Sequence, residues 1–240
     1  MNPNLVIIRH GQSQFNLENR FAGWIDTNLT AEGEAQAKKA AEVLQNANFV
    51  PDIIFVSPLT RTLRTAKFIY PNAEHIIDAR LVERFYGDMS GKNKEQTLKE
   101  IGDDMFQKIR RGYETQPAPI QPNNSELANI TECFERIIKG TFTNEIPPTE
   151  SLKDVEQRVI PFVKEKLNPA LAAGKKVFIC AHGNSLRALI KIIKNIPAEA
   201  IAKVELETAQ PAGFVIDITS GNLNVTSDSV GKHFADWVNG

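Results

Sequence analysis

Leu5-Val6-Ile7-Ile8-Arg9-His10-Gly11-Gln12-Ser13 and Val177-Phe178-Ile179-Cys180-Ala181-His182-Gly183-Asn184-Ser185 follow one pattern. Each is a short apolar run that ends in a histidine followed by a glycine. Apolar runs of this length without alternation mark strands buried on both faces, as in a parallel sheet. Ligands of open α/β sheets bind beyond the carboxyl ends of the strands. If these two strands are neighbours, His10 and His182 face one pocket. Neutral imidazole is a good nucleophile toward phosphorus, and glycine lets the backbone approach an anion closely. One His-Gly pair alone reads more simply as a structural histidine. Two in matched settings, one preceded by Arg9, favour a shared phosphate site.

Outward from these strands, the chain alternates strand and helix patterns. A polar loop runs to Leu29. Thr30 is placed to cap a helix with Glu32 and Glu34 in its first turn, where negative charge suits the helix dipole. Ala35, Ala40, Ala41 and Leu44 supply its apolar face. Ile53-Ile54-Phe55-Val56 reads as a second buried strand. Ser57 as N-cap and Pro58 in the first turn predict a helix through Ile69. Ile76-Ile77 is a weaker third strand. Ser151 and Asp154 predict a boxed helix start, and Pro161 should end or kink that helix. Helix resumes from Ser185 to about Lys194, and Phe214–Ile218 is the last strand. The fold class is therefore α/β, with a mostly parallel central sheet flanked by helices on both faces. A helical and loop insertion runs from about Arg84 to Thr149 and contains the Pro/Asn-rich stretch Gln116 to Ser125. With 240 residues the chain is long enough for one well-buried domain, and residues 1–240 are read as one.

Composition excludes several classes. Lys and Arg number 28 against 29 Asp and Glu, for a net charge of -1. Such balance argues against broad binding to nucleic acid or a membrane surface, though not against a local cluster of one sign. The two cysteines, Cys133 and Cys180, are too few for a disulfide framework. The first residues lack a signal-peptide pattern, and no run approaches the roughly 18 apolar residues of a membrane span. These features lead to the expectation of a cytoplasmic protein with no nucleic-acid or membrane partner.

A phosphate site needs fixed positive charge. Arg9 supplies one guanidinium, and Arg61 lies just beyond the carboxyl end of the second strand. Arginine meets phosphate oxygens through two parallel hydrogen bonds, which fixes direction as well as charge. Arg64, one turn on, reads as a solvated helix face or as a residue that supports the site from behind. No cluster of metal ligands is evident, and the arginines can stand in for a metal, so no metal is expected.

Several blocks together resemble the cofactor-dependent phosphoglycerate mutases of the histidine phosphatase superfamily. They are Arg9-His10-Gly11-Gln12-Ser13 with Asn16, Glu18-Asn19-Arg20-Phe21-Ala22-Gly23-Trp24, Leu81 to Gly87, Gly91-Lys92-Asn93-Lys94, Arg110-Arg111, Glu150-Ser151-Leu152, and Ala181 to Ala188. The resemblance covers about residues 5 to 218. It implies interconversion of 3-phosphoglycerate and 2-phosphoglycerate, primed by 2,3-bisphosphoglycerate, in a protein that the family suggests is a homodimer. By the same resemblance His10 is the phosphorylated nucleophile and Glu83 the proton donor and acceptor. His182 stabilises the moving phosphoryl group, which Arg9, Arg61, Asn16 and Asn184 surround, with Gly23 offering backbone and Ala22 and Gly183 counted among the binding residues. Tyr86, Lys94, Arg110 and Arg111 hold the carboxylate and the distal phosphate. The plainer reading of Glu83 is a salt bridge to Arg84, and of Arg110-Arg111 a solvated helix face.

The chain departs from the family pattern in three places. Ala22 stands where threonine is usual, Phe85 where histidine is common, and the tail from Ser227 to Gly240 is short with one lysine, Lys232. Two alternatives stay open: a phosphatase in which water accepts the phosphoryl group, and a non-catalytic phosphate-binding module.

Overall fold

The computed structural model describes residues 1–219 and 222–240. Six strands form one sheet: β1 (Leu5–Arg9), β2 (Ile53–Val56), β3 (Ile76–Ile77), β4 (Val177–Ala181), β5 (Pro211–Thr219) and β6 (Asn222–Asp228), in the order β3-β2-β4-β1-β5-β6. The first four are parallel, while β5 and β6 run antiparallel at one edge. The helices are α1 (Gln14–Leu17), α2 (Ala31–Asn46), α3 (Thr60–Ile69), α4 (Lys94–Ile101), α5 (Asp103–Arg111), α6 (Leu127–Ile137), α7 (Leu152–Phe162), α8 (Asn168–Ala172), α9 (Gly183–Lys194) and α10 (Phe234–Asn239).

The continuous apolar runs follow from burial on both faces. Successive strand residues point to opposite sides. Leu5, Ile7, Val177 and Ile179 pack with Leu152 and Val155 of α7 and Leu186 and Leu189 of α9. Val6, Ile8, Ile54 and Phe178 pack on the other side with Ala40 and Leu44 of α2, Ala66 and Ile69 of α3, and Phe234 and Trp237 of α10. The insertion adds two smaller clusters. One is built on Trp24, Phe85, Ile130 and Phe134, the other on Phe21, Met89, Phe106 and Ile109.

Most boundaries agree with the sequence pattern, and the differences have local causes. Thr30 does cap α2, accepting from Gly33 N–H at 3.0 Å. Ala35, however, is exposed, because the buried stripe runs through Gly33, Ala37, Ala40 and Leu44. The polar loop before Leu29 contains α1, closed by a Ser13–Asn16 capping box. Ser57 does not cap α3. That helix begins at Thr60, whose N–H and hydroxyl donate to the Asp26 carboxylate at 2.7 and 2.8 Å. The Ser151–Asp154 capping box forms as expected. Pro161 does not stop the rod. It has no N–H for the preceding turn, and two residues later the helix widens into a π segment, Val163–Leu167, before α8. Helix α9 starts at Gly183, two residues before the expected Ser185. Strand β6 lacks a long apolar run because it forms the sheet's outer edge, half exposed.

Candidate active site

The register of β1 on β4 pairs Arg9 with Ala181. The next residues, His10 and His182, therefore emerge side by side, and His10 N–H donates to the Ala181 carbonyl at 3.1 Å. Their ring centroids are 5.2 Å apart, and both rings are buried. They are wired differently. His10 Nδ1 lies 2.7 Å from the Gly11 carbonyl, which can only accept; the hydrogen-bond network thus puts the proton on Nδ1 and leaves the Nε2 lone pair free. His182 spends Nε2 on Ser57 Oγ at 2.7 Å and has a buried Nδ1 without a protein partner. Burial pushes both imidazoles well below their ordinary range, and the charge on Arg61 adds to the shift.

Three more side chains, those of Arg61, Arg9 and Glu83, lie near these rings or the residues beside them. Arg61, in the first turn of α3, is 1% exposed. It donates to the carbonyls of Ile25 at 2.9 Å and Gly23 at 2.8 Å, which leaves Nε free of protein partners. Burial lowers its pKa to about 10. Gly23 has φ of +51°, and a Cβ there would sit 3.2 Å from the Arg84 carbonyl, so glycine suits this turn. Arg9 reaches the Leu206 carbonyl at 3.0 Å, again with Nε unpaired. The Glu83 carboxylate accepts from Arg84 N–H at 2.7 Å and from Asn184 N–H, in the first turn of α9, at 3.1 Å. Its own carbonyl accepts from Trp24 Nε1 at 2.7 Å and from Arg158 at 2.9 Å. Arg158 is in turn held by a buried ion pair to Glu150 at 2.8 Å. Among the described residues no ion pair joins Glu83 to Arg84, whose guanidinium is stacked 4.6 Å over the Tyr86 ring.

Farther out, a cleft of about 100 Å³ is bordered by five cations, Arg9, Lys94, Arg110, Arg111 and Arg187, against one carboxylate, Glu83. Tyr86, Gly183 and Asn184 also border it, and Tyr86 Oη accepts from Asn184 Nδ2 at 2.9 Å. Burial, with Arg110 and Arg9 nearby, lowers the Lys94 pKa to about 8. Burial and then Arg111 lower that of Arg110. Arg111 pairs with the exposed Glu205 at 2.7 Å. Of the expected site residues, His10, Arg61, His182, Asn16, Ala22 and Gly23 do not border the cleft. Asn16 Oδ1 serves the α1 capping box, accepting from Ser13 N–H at 3.1 Å. Ala22 is half-buried and its carbonyl accepts from Ile25 N–H at 2.9 Å.

Among the described residues, two buried donors beside the histidines meet no acceptor, the Nε atoms of Arg9 and Arg61. Unmet buried donors cost about 1–3 kcal/mol each. A group with several acceptor oxygens, such as a phosphoryl group, fits this set. Among the described residues no group of three or more His, Cys, Asp or Glu is arranged to hold a metal ion.

A family model described as the histidine phosphatase superfamily, branch 1, matches residues 5–141 and 120–227. The chain belongs to that superfamily. Proteins named 2,3-bisphosphoglycerate-dependent phosphoglycerate mutase are among its relatives. The one from Bifidobacterium longum (strain DJO10A) is 41% identical over 222 residues, covering 90% of this chain and 87% of its own length. That from Zymomonas mobilis is 42% identical over 214 residues, covering 87% and 91%. Among solved structures, a mycobacterial glucosyl-3-phosphoglycerate phosphatase in complex with VO3 superposes with a TM-score of 0.70 at 25% identity, over 92% of this chain and 96% of that one. A putative alpha-ribazole-5'-P phosphatase from Escherichia coli gives 0.65 at 20% identity, over 92% and 93%, which speaks for the fold alone.

Within the superfamily pattern, two of the departures acquire physical reasons. Phe85 is fully buried against Trp24, with ring centroids 5.1 Å apart, and belongs to the insertion's core rather than to the cleft. The tail forms α10, which packs Phe234 and Trp237 on β5 over Gly213, where a Cβ would meet both rings at 2.6 Å. No described tail residue borders the cleft. Sequence reasoning missed Ser57, which it read as a helix cap, and assigned no role to Arg187 or to the Glu150–Arg158 pair. The available signal for Ser57 was the one used for the histidines, its place at the carboxyl end of a buried strand.

Proposed function

We propose that the protein interconverts 3-phosphoglycerate and 2-phosphoglycerate in the cytoplasm through a phosphohistidine at His10. The observation that carries this reading is the neutral His10 with Nε2 free, beside Arg61 and His182, where the two histidines adjoin in sequence Arg9 and Gly183, which border a cleft with five cations. On this reading 2,3-bisphosphoglycerate supplies the phosphoryl group that primes His10. His10 Nε2 forms a bond to phosphorus as the phosphorus–oxygen bond to the donor breaks, and Glu83 gives its proton to the leaving oxygen. In the return step a substrate hydroxyl takes the phosphoryl group, the nitrogen–phosphorus bond breaks, and Glu83 takes the hydroxyl proton. Charge in such a transfer spreads over three equatorial oxygens. Arg9 and Arg61 are the donors proposed to meet it, with His182 beside them, their positions fixed before the reaction. Tyr86, Lys94, Arg110 and Arg111 are proposed to hold the carboxylate and the distal phosphate, and Asn184 to join the two ends.

The names carried by relatives at about 40% identity over most of the chain support the mutase reading. The test is 2-phosphoglycerate formation from 3-phosphoglycerate, with and without 2,3-bisphosphoglycerate, in a chelator. Primer-dependent formation that resists the chelator is expected; no formation under either condition overturns the reading. A second reading, hydrolysis of a small phosphate ester, is favoured by one observation, the docking of α10 away from the cleft mouth. Inorganic phosphate release exceeding 2-phosphoglycerate formation would select it.

A further inference from the structure

Arg110 and Arg111 sit in the last turn of α5, a helix of the insertion, so their distance from the strand ends is set by how α5 is docked. A helix leaves the carbonyls of its last four residues without intrahelical partners. In α5, two of these are met by arginines from outside the helix. The Ile109 carbonyl accepts from Arg84 Nη1 at 2.8 Å, and the Arg111 carbonyl accepts from Arg187 Nη2 at 3.0 Å. Both guanidiniums are buried, at 0% and 5% exposure. Positive charge at a helix carboxyl end also suits its dipole.

Neither arginine stops at the helix. Arg84 stacks 4.6 Å over the Tyr86 ring. Arg187 donates through Nη1 to Asn184 Oδ1 at 3.3 Å, and through Nη2 to the Ile201 carbonyl at 2.9 Å as well. Tyr86 and Asn184 are themselves bonded at 2.9 Å. The contacts close a ring: α5, Arg84, Tyr86, Asn184, Arg187, and back to α5.

We propose that Arg84 and Arg187 are positioning residues for substrate selection. They lock the carboxyl end of α5 at the spacing from His10 that suits a short phosphate ester with a second acidic group. The inference deepens the proposed function by giving a physical cause for its preference for phosphoglycerates, and neither residue is assigned contact with the reacting atoms. The purpose of two arginines is bridging. Each spans two partners on different segments, which a single lysine ammonium at the end of a flexible stem does not reproduce.

The experiment compares parent with Arg84→Lys and Arg187→Lys on two compounds, 3-phosphoglycerate, which has a second acidic group, and p-nitrophenyl phosphate, which has none. Three quantities are read below the melting temperature of every variant: KM for 3-phosphoglycerate, its inhibition constant against p-nitrophenyl phosphate hydrolysis, and kcat/KM for p-nitrophenyl phosphate. The expected result is a rise of about tenfold or more in the first two, because misplacement by about 1 Å carries penalties of this order and above. The kcat/KM for p-nitrophenyl phosphate should change much less, so the preference for 3-phosphoglycerate collapses. Arg111→Ala combined with Arg187→Lys should cost less than the two separate losses added, since both act through one clamp. Equal losses on both compounds, an unmoved inhibition constant, or full additivity would overturn the proposal. A parent that forms no 2-phosphoglycerate would sink the mutase reading while leaving the inhibition constant to judge the docking.

Discussion

The two strand ends that carry His10-Gly11 and His182-Gly183 look alike in sequence and are built for different tasks. Gly11 lies against the first turn of α2: a Cβ there would sit 2.3 Å from the Gly33 carbonyl. It is a glycine because two backbones touch. Gly183 meets nothing closer than 3.7 Å, from Arg9 Nε and the Glu83 carboxylate. It is a glycine facing the reaction space. His10 is bonded through Nδ1 and presents Nε2; His182 is bonded through Nε2 and presents Nδ1. The first arrangement offers the Nε2 lone pair; the second leaves Nδ1 without a protein partner. A repeated motif thus turns two different ring nitrogens toward one site, and the difference comes from what each ring leans on.

The largest expected effect separates the two rings. His10→Ala should take up no label from radiolabelled 2,3-bisphosphoglycerate, whereas His182→Ala should still be labelled, with turnover lowered about 10²–10³-fold. Stoichiometric labelling of the His10 variant would break the comparison outright. Next is Glu83→Gln, which keeps the shape of the side chain but cannot shuttle a proton. It should fold normally and lose about 10²–10⁴-fold in turnover; near-parental turnover would remove Glu83 from the chemistry.

The glycines give a crossed pair. Gly11→Ala should lower the unfolding free energy by about 2–4 kcal/mol, by forcing α2 away from the loop. Gly183→Ala should melt close to the parent yet turn over more slowly, because its methyl group points at Arg9 and Glu83. Equal melting temperatures for the two variants would show that the close approach at Gly11 relaxes freely.

A smaller effect concerns pH. Burial and Arg61 hold both histidines well below the ordinary value of 6.5. The rate of His10 phosphorylation should therefore show no protonation limb as pH falls through about 6.5. Stability behaves oppositely. Below about pH 6.5 the unfolded chain binds protons that the folded rings refuse, so the unfolding free energy should decline as pH drops from there toward the folded pKa values. Denaturant melts of parent and His182→Gln at pH 7 and pH 5.5 read this directly: the parent should lose more over the interval, and equal losses would contradict it. The smallest effect is Ser57→Ala. It removes the hydroxyl that orients His182 and should cost a few-fold in turnover, corresponding to one hydrogen bond of about 1 kcal/mol.

Much of this molecule was determined by its sequence alone. Unbroken apolar runs at Leu5–Ile8, Ile53–Val56 and Val177–Ala181 require burial on both faces, which a parallel sheet sandwiched by helices provides. A histidine at the end of two such runs, with arginines beside them, points to one anionic site at the carboxyl edge. Capping at Thr30 and Ser151 is equally local, since a side chain three residues from its target needs no tertiary help. What only the tertiary structure decided lies in contacts between segments distant in the chain. The ring nitrogen that each histidine presents depends on Ser57 for one and on the Gly11 carbonyl for the other. That Arg84 stacks on Tyr86 and docks α5, rather than pairing with Glu83, depends on where the insertion folds back. The tail lies on β5 rather than over the cleft because Gly213 leaves room for two aromatic rings. Periodicity reports which residues are buried, because burial is set along each element. Hydrogen-bond partners are set between elements, and no one-dimensional pattern encodes the choice.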